Sequence, residues 1–288
     1  MGSWLKRLLV AGTGTGIVVL GCGIWLYSGE DQPDQPYNYK QFTTAAVNET
    51  MGGDSFHIRA GEPFPAHHQV LNVRNGEYVA LAEMWRDKPL VLETGSVTCP
   101  IFSGKGVTMD GLFEEYGDRA TIALLYVREA HPGILRPAHK DMADKITVAG
   151  SLNLLRPVLV DKHGGELHRA IGVHPNMVYI IGTDGRVAHY SLWNNPEETR
   201  ASLRRLLDAG GRTSDLPELF ANLCPVPTID SMPRSLLRLI RNSGPDALQD
   251  AFSIRKAWAG GQATFFLPVE RCKEEHLMSR TSPAAGAH

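Results

Sequence analysis

"PLVLETGSVTCPIFSG", Pro89 to Gly104, is the stretch on which the fold turns. Leu90, Val91 and Leu92 make a short apolar run, and Gly95-Ser96 ends it, the pattern of a buried strand closed by a turn. A single cysteine, Cys99, then stands directly before Pro100. Proline is favoured in the first helical turn, so the segment reads as strand, loop and helix start with a thiol at the junction. Unpaired N–H groups and partial positive charge at a helix start stabilise a thiolate. A lowered Cys99 pKa, and hence a nucleophile or redox group, is the expectation; a buried structural cysteine is the alternative. Phe102 stands where the second member of a Cys-x-x-Cys pair would be.

Working outward, "ATIALLYVRE" (120–129) and "RPVLVD" (156–161) read as further strands, and the segments between them as helices. "MVYIIGTDGRVAHYS" (177–191) reads as two strands around a Thr183-Asp184-Gly185 turn. "EETRASLRRLLDAG" (197–210) has acidic residues first, arginines later and a terminal glycine, which marks a helix. This order predicts an α/β domain over 57–210, a mixed sheet flanked by helices.

The rest of the 288-residue chain divides around that domain. It is 43% hydrophobic and 21% charged with a formal net charge of -2, which gives no footprint for a nucleic-acid partner. Lys6 and Arg7 precede an uncharged stretch, Leu8 to Tyr27, and about 20 apolar residues span a bilayer as a helix. Positive charge before the span predicts a single-pass membrane protein with a cytoplasmic amino terminus and an exported domain. A cleaved signal and a lipoprotein site at Cys22 are the alternatives for residues 1–27. Residues 28–56, with Pro33 and Pro36, read as a linker. Residues 211–288 read as an extension of unassigned role, with two short amphipathic helices over 231–252 broken by Ser243-Gly244-Pro245. Arg234, Arg238, Arg241 and Arg255 give that segment a basic face. Cys224 and Cys272 could pair in an oxidising compartment, or one could resolve oxidised Cys99. No histidine spacing identifies a metal site.

Three segments carry a resemblance. "PLVLETGSVTCPIF" resembles the active-site segment of the iodothyronine deiodinases, Pro-Leu-Val-Leu-Asn-Phe-Gly-Ser-Cys-Thr-Sec-Pro-Pro-Phe, with Cys99 on the selenocysteine. "LLYVREAHP" (124–132) is similar to the family's Leu-Val-Tyr-Ile-Glu-Glu-Ala-His-Pro. "PAHKDMADKI" (137–146) places His139 on a family histidine, and "VLVDKHGGELHRAIGVHPNMVYII" (158–181) follows a further family segment. The resemblance implies a thioredoxin-like fold and a thiol-dependent oxidoreductase that removes halogen from an iodinated phenol-type substrate. Cys99 would be the nucleophile. Glu129 and His131 would form the proton relay, with Ser96, Thr98, Tyr126 and His139 in support. Glu beside His makes independent sense, because a carboxylate fixes the tautomer of a neighbouring imidazole. No bound cofactor is implied, only an external thiol reductant as electron donor; a homodimer is one arrangement open to the chain.

The sequence departs from the family pattern at several points. Cysteine replaces selenocysteine at 99, Val97 replaces a nearby cysteine, and the loop from His131 to His139 is shorter. "SLWNNPEE" (191–198) stands where the family carries Gly-Gly-Arg-Gly-Pro, so the arginine that helps hold an iodothyronine is absent. Pro175, after His174, falls where thioredoxin-like proteins place a cis-proline facing the cysteine, so a cis His174–Pro175 bond is expected. Two other readings stand beside the dehalogenase: a monothiol peroxide or disulfide reductase, and a redox-inert exported binding module. A peroxidatic motif would have Ser96 in place but is missing its proline, since Leu92 occupies that position. A Cys99 pKa at or above about 8.5 favours the inert module.

Overall fold

The computed structural model describes residues 36–43, 46, 57–105, 108–222 and 232–250. Its strands are β1 (Gln69–Asn72), β2 (Glu77–Ala80), β3 (Leu90–Gly95), β4 (Thr121–Tyr126), β5 (Val158–Val160), β6 (Val178–Ile181), β7 (Val187–Ser191) and β8 (Phe220–Asn222). The helices are α1 (Phe102–Lys105), α2 (Thr108–Tyr116), α3 (Met142–Gly150), α4 (Glu166–Ile171), α5 (Pro196–Asp208) and α6 (Met232–Ser243). All eight strands join one sheet in the order β2-β1-β5-β4-β3-β6-β7-β8. β3, β4 and β5 are parallel, whereas β6 runs antiparallel to β3 and β7 antiparallel to β6. This is the mixed, helix-flanked sheet expected from the strand order.

Alternation along the strands divides the core into two faces. Leu90, Leu92, Ala123, Leu125, Leu159, Tyr179 and Ile181 face one side, under Phe64, Trp85 and α4. Val91, Ile122, Val178 and Ile180 face the other, under Met109 and Leu112 of α2 and Leu203 and Leu206 of α5. Farther along that face, Leu124, Tyr126, Val158 and Val160 pack with Phe102 and with Ala149 of α3. The flanking helices begin where the sequence supplies caps. Asp141 Oδ1 accepts from the Asp144 N–H at 2.8 Å to start α3. Asn195 caps α5, Pro196 opens it, and Glu197 and Glu198 lie in its first turn.

The β6–β7 hairpin turns at Gly185, whose φ of +73° is the left-handed conformation that glycine tolerates. Two pairings lie beyond those the strand pattern predicts. The β1–β2 hairpin closes at Asn75-Gly76, a recognised turn dipeptide, with Gly76 at φ +74°. β8 adds at the far edge, parallel to β7.

Residues 36–43, within the stretch read as linker, are packed on the domain. Tyr37, Tyr39 and Phe42 are buried, and the guanidinium of Arg128 lies 5.0 Å from the Tyr37 ring centre and 4.7 Å from that of Tyr39. Leu8 to Tyr27 lies outside the described residues, as do Cys22, Cys224, Arg255 and Cys272. Among the described residues no helix is long and apolar enough to cross a membrane.

Phe102 has a packing role that explains Gly95. A Cβ on Gly95 would meet Phe102 at 2.5 Å and Leu124 at 2.9 Å, far inside contact distance. Gly95→Ala is therefore expected to destabilise the domain by about 1–3 kcal/mol through overpacking. Urea unfolding measures it, and an unchanged midpoint would remove Phe102 from the list of constraints on this strand.

Candidate active site around Cys99

Strand direction assembles the site. β3 and β4 pair parallel and in register from Leu90↔Thr121 to Gly95↔Tyr126, so both strands end at one edge of the sheet. The loop carrying Ser96, Thr98 and Cys99 therefore emerges beside the loop carrying Glu129 and His131. β6 starts at that same edge, with Val178 opposite Glu93 and opposite Ser191 of β7. Residues 172–177 and 192–195 join the cluster for that reason. The carboxyl ends of parallel strands are where open α/β sheets place their sites.

Hydrogen bonds tie the two loops together. The Thr98 N–H and hydroxyl both donate to Glu129 Oε2, at 3.0 and 2.6 Å. The Tyr126 hydroxyl donates to Glu129 Oε1. The His131 N–H donates to Thr98 Oγ1 at 3.0 Å, and the Ala130 N–H donates to Ser96 Oγ at 3.1 Å. Ser96, Thr98, Tyr126 and Glu129 are all buried. Burial raises the Glu129 carboxyl above its ordinary range, partly opposed by the Thr98 and Tyr126 hydrogen bonds. His139 Nε2 lies 3.7 Å from Glu129 Oε1 and Nδ1 3.8 Å from Asp144 Oδ2, both just beyond a hydrogen bond, and neither ring nitrogen has a hydrogen-bond partner among the described residues. Burial, reinforced by Lys145, lowers its pKa to about 4, so the ring is neutral at pH 7.

Two expectations are corrected. The first concerns the thiol. Cys99 is 3% exposed, and burial pushes its pKa up to about 11 rather than down. The Ile101 and Phe102 N–H groups do favour the thiolate, but α1 is a four-residue turn and its donors do not offset desolvation. The second concerns the proline. The described residues contain no cis peptide bond, so His174–Pro175 is trans. Thr94 holds this loop in the trans form, its hydroxyl donating to His174 O at 3.0 Å and accepting from the Met177 N–H at 2.8 Å.

The carboxylate that meets the His131 ring is also different. Glu129 is committed to Thr98 and Tyr126, and Asp250 takes the imidazole, with Oδ2 3.0 Å from Nδ1. Asp250 lies over a hundred positions along the chain, and no local spacing signals it. The "SLWNNPEE" segment is built differently from an anion clamp. Trp193 packs edge-on against His174 at 4.5 Å between ring centres, Asn194 donates to Glu93, and Asn195 caps α5. Burial lowers the His174 pKa to about 3, so this ring is neutral at pH 7.

Fold and cluster together define an α/β protein whose buried thiol sits beside a carboxylate, tyrosine and histidine network. A model of the iodothyronine deiodinase family matches residues 55–206, and the chain belongs to that family. It is 26% identical over 204 residues to thyroxine 5-deiodinase from Sparus aurata, covering 62% of this chain and 74% of that protein. Among solved structures, it is similar to an uncharacterized conserved protein from Geobacillus kaustophilus. That match has a TM-score of 0.43 and 18% identity and covers 54% of this chain and 85% of that one. The exposed lipoprotein thioredoxin of Streptococcus pneumoniae matches with a TM-score of 0.39 and 20% identity, over 47% of this chain and 96% of that one. Family membership supports a thiol-dependent redox function.

Proposed function

We propose that this protein is a thiol-dependent oxidoreductase that removes iodine from an iodinated phenol-type substrate. The observation that carries the reading is the Thr98–Glu129–Tyr126 network, which locks the loop before Cys99 to a proton-bearing cluster. The Cys99 thiolate attacks iodine and the carbon–iodine bond breaks. The electron pair stays on the ring carbon, which takes a proton relayed through His131 and the Glu129 cluster. The products are the dehalogenated ring and a sulfenyl iodide on Cys99. An external thiol then displaces iodide to give a mixed disulfide, and a second thiol releases Cys99 and leaves as the oxidised disulfide. Cysteine is slower in such a cycle than selenocysteine, and no vicinal thiol stands at Val97, so both reducing equivalents come from outside. Attachment to a membrane through Leu8–Tyr27, with the domain exported, is part of this proposal and rests on Lys6, Arg7 and the uncharged span.

One observation favours a second reading. A thiol that is buried and protonated is what a redox-inert binding module would carry. A paired assay separates the readings. The purified protein with excess dithiol is offered an iodinated phenol and hydrogen peroxide in parallel. Release of iodide is the expected result; turnover of peroxide alone would sink the dehalogenase reading, and turnover of neither would favour the inert module.

A further inference from the structure

The residues after 210 lie outside the segment that matches the family, yet 232–250 among them is built onto the Cys99 site. α6 and the turn after it touch both flanks of the cysteine loop. Asn242 Nδ2 donates to Val97 O at 3.0 Å on one flank. On the other flank Arg238 lies against Gly104, where a Cβ would meet its guanidinium at 2.3 Å. The same segment grips the short loop after His131. The Leu135 N–H donates to Ser243 O at 2.8 Å, and the Ile134 N–H donates to Asp246 Oδ2 at 2.9 Å. The last described residue, Asp250, is buried, and its carboxylate reaches His131 Nδ1 at 3.0 Å. Phe42 packs edge-on against the same imidazole, 4.6 Å away between ring centres.

We infer that Asp250 is a positioning residue of the active site, delivered by the segment 232–250, and that it sets the tautomer of His131. A carboxylate accepting from Nδ1–H leaves Nε2 as the nitrogen that exchanges a proton with the reacting site. The Phe42 contact and the Asp250 bond both restrain the imidazole. The fixed His131 N–H to Thr98 bond places it against the Glu129 network. The role of Asp250 in turnover rests on the dehalogenase reading; its effect on the tautomer does not.

The test uses the full chain and two readouts. Ring nitrogen NMR at pH 8, with His131→Gln supplying the assignment, is expected to show Nδ1 protonated and Nε2 bare. Asp250→Asn, nearly isosteric, is expected to lose that signature, and Asp250→Glu to retain it in part. A His131 ring protonated at Nε2, or one unchanged in Asp250→Asn, would overturn the inference. In the iodophenol assay, Asp250→Asn is expected to lower kcat roughly ten- to hundredfold with KM little changed. Equal kcat in wild type and Asp250→Asn would overturn the catalytic part. A tautomer change in a protein that releases no iodide would leave the positioning role standing and remove the proposed reaction instead.

Discussion

Cys99→Ser is expected to abolish thiol-driven iodide release, with kcat/KM falling by about a thousandfold or more, because no other described thiol can take its place. Residual turnover within tenfold of wild type would mean that Cys99 is not the nucleophile. The wild-type protein carries a companion signature. Burial raises the Cys99 pKa to about 11, so alkylation by iodoacetamide should climb with pH towards a midpoint near 11. A midpoint at or below the ordinary thiol value would show that the site opens enough to wet the sulfur. The same shift has a stability consequence. The protonated thiol is the form that the fold favours, so this contribution is complete below the unfolded thiol pKa. It is lost as pH rises from the ordinary value of 9.0 through about 11, amounting to about 3 kcal/mol. Cys99→Ser should flatten that alkaline slope in a denaturation series. Catalysis then requires that substrate binding or movement of the 232–250 segment pay the cost of ionising a buried sulfur.

Arg156→Ala is expected to cost about 3–5 kcal/mol of folding stability, the penalty for stranding buried carboxylates. Arg156 is fully buried beneath the site. Its guanidinium donates to Glu93 on β3 and to Asp110 Oδ1 on α2, the latter at 2.6 Å. Glu93 also accepts from Asn194 beyond β7, and Asp110 Oδ2 accepts from the Leu155 N–H at 3.1 Å. One cation therefore joins the strand leading to Cys99, the helix after it and the loop beside His174. Burial raises the Glu93 carboxyl even with Arg156 beside it, so removing the arginine should drive that carboxyl to take up a proton. Urea unfolding of Arg156→Ala and of Arg156→Ala/Glu93→Gln checks this. Removing one of the stranded charges should recover part of the loss. A loss below about 1 kcal/mol in the single variant would contradict the buried-network account.

Much of the sheet was legible because its strands are buried on both faces or alternate cleanly. "LVLETG", "TIALLY" and "VYII" announce themselves by continuous apolar or β-branched character. α5 is legible from its acidic start, its later arginines and the glycine that ends it; Pro196 at its first position is seen only in the structure. The β1–β2 hairpin has a readable Asn75-Gly76 turn but short, half-exposed strands whose pattern is too weak to mark them. The trans His174–Pro175 bond and the raised thiol pKa are not legible in the sequence, since each depends on what packs around the loop. Thr94 decides the first and burial decides the second.

By itself the sequence determined the family, the α/β class and the two segments that meet around Cys99. Those are local properties: residue type, periodicity and spacing along continuous motifs. Tertiary structure alone decided the electrostatics and the last partner. Parallel pairing of β3 with β4 brought Thr98 to Glu129, and desolvation reversed the expected shift of the thiol. The return of the chain at 232–250 placed Asp250, rather than Glu129, on His131. A pKa and a tautomer are set by the groups within a few ångströms, and in a folded chain those neighbours come from any distance in sequence.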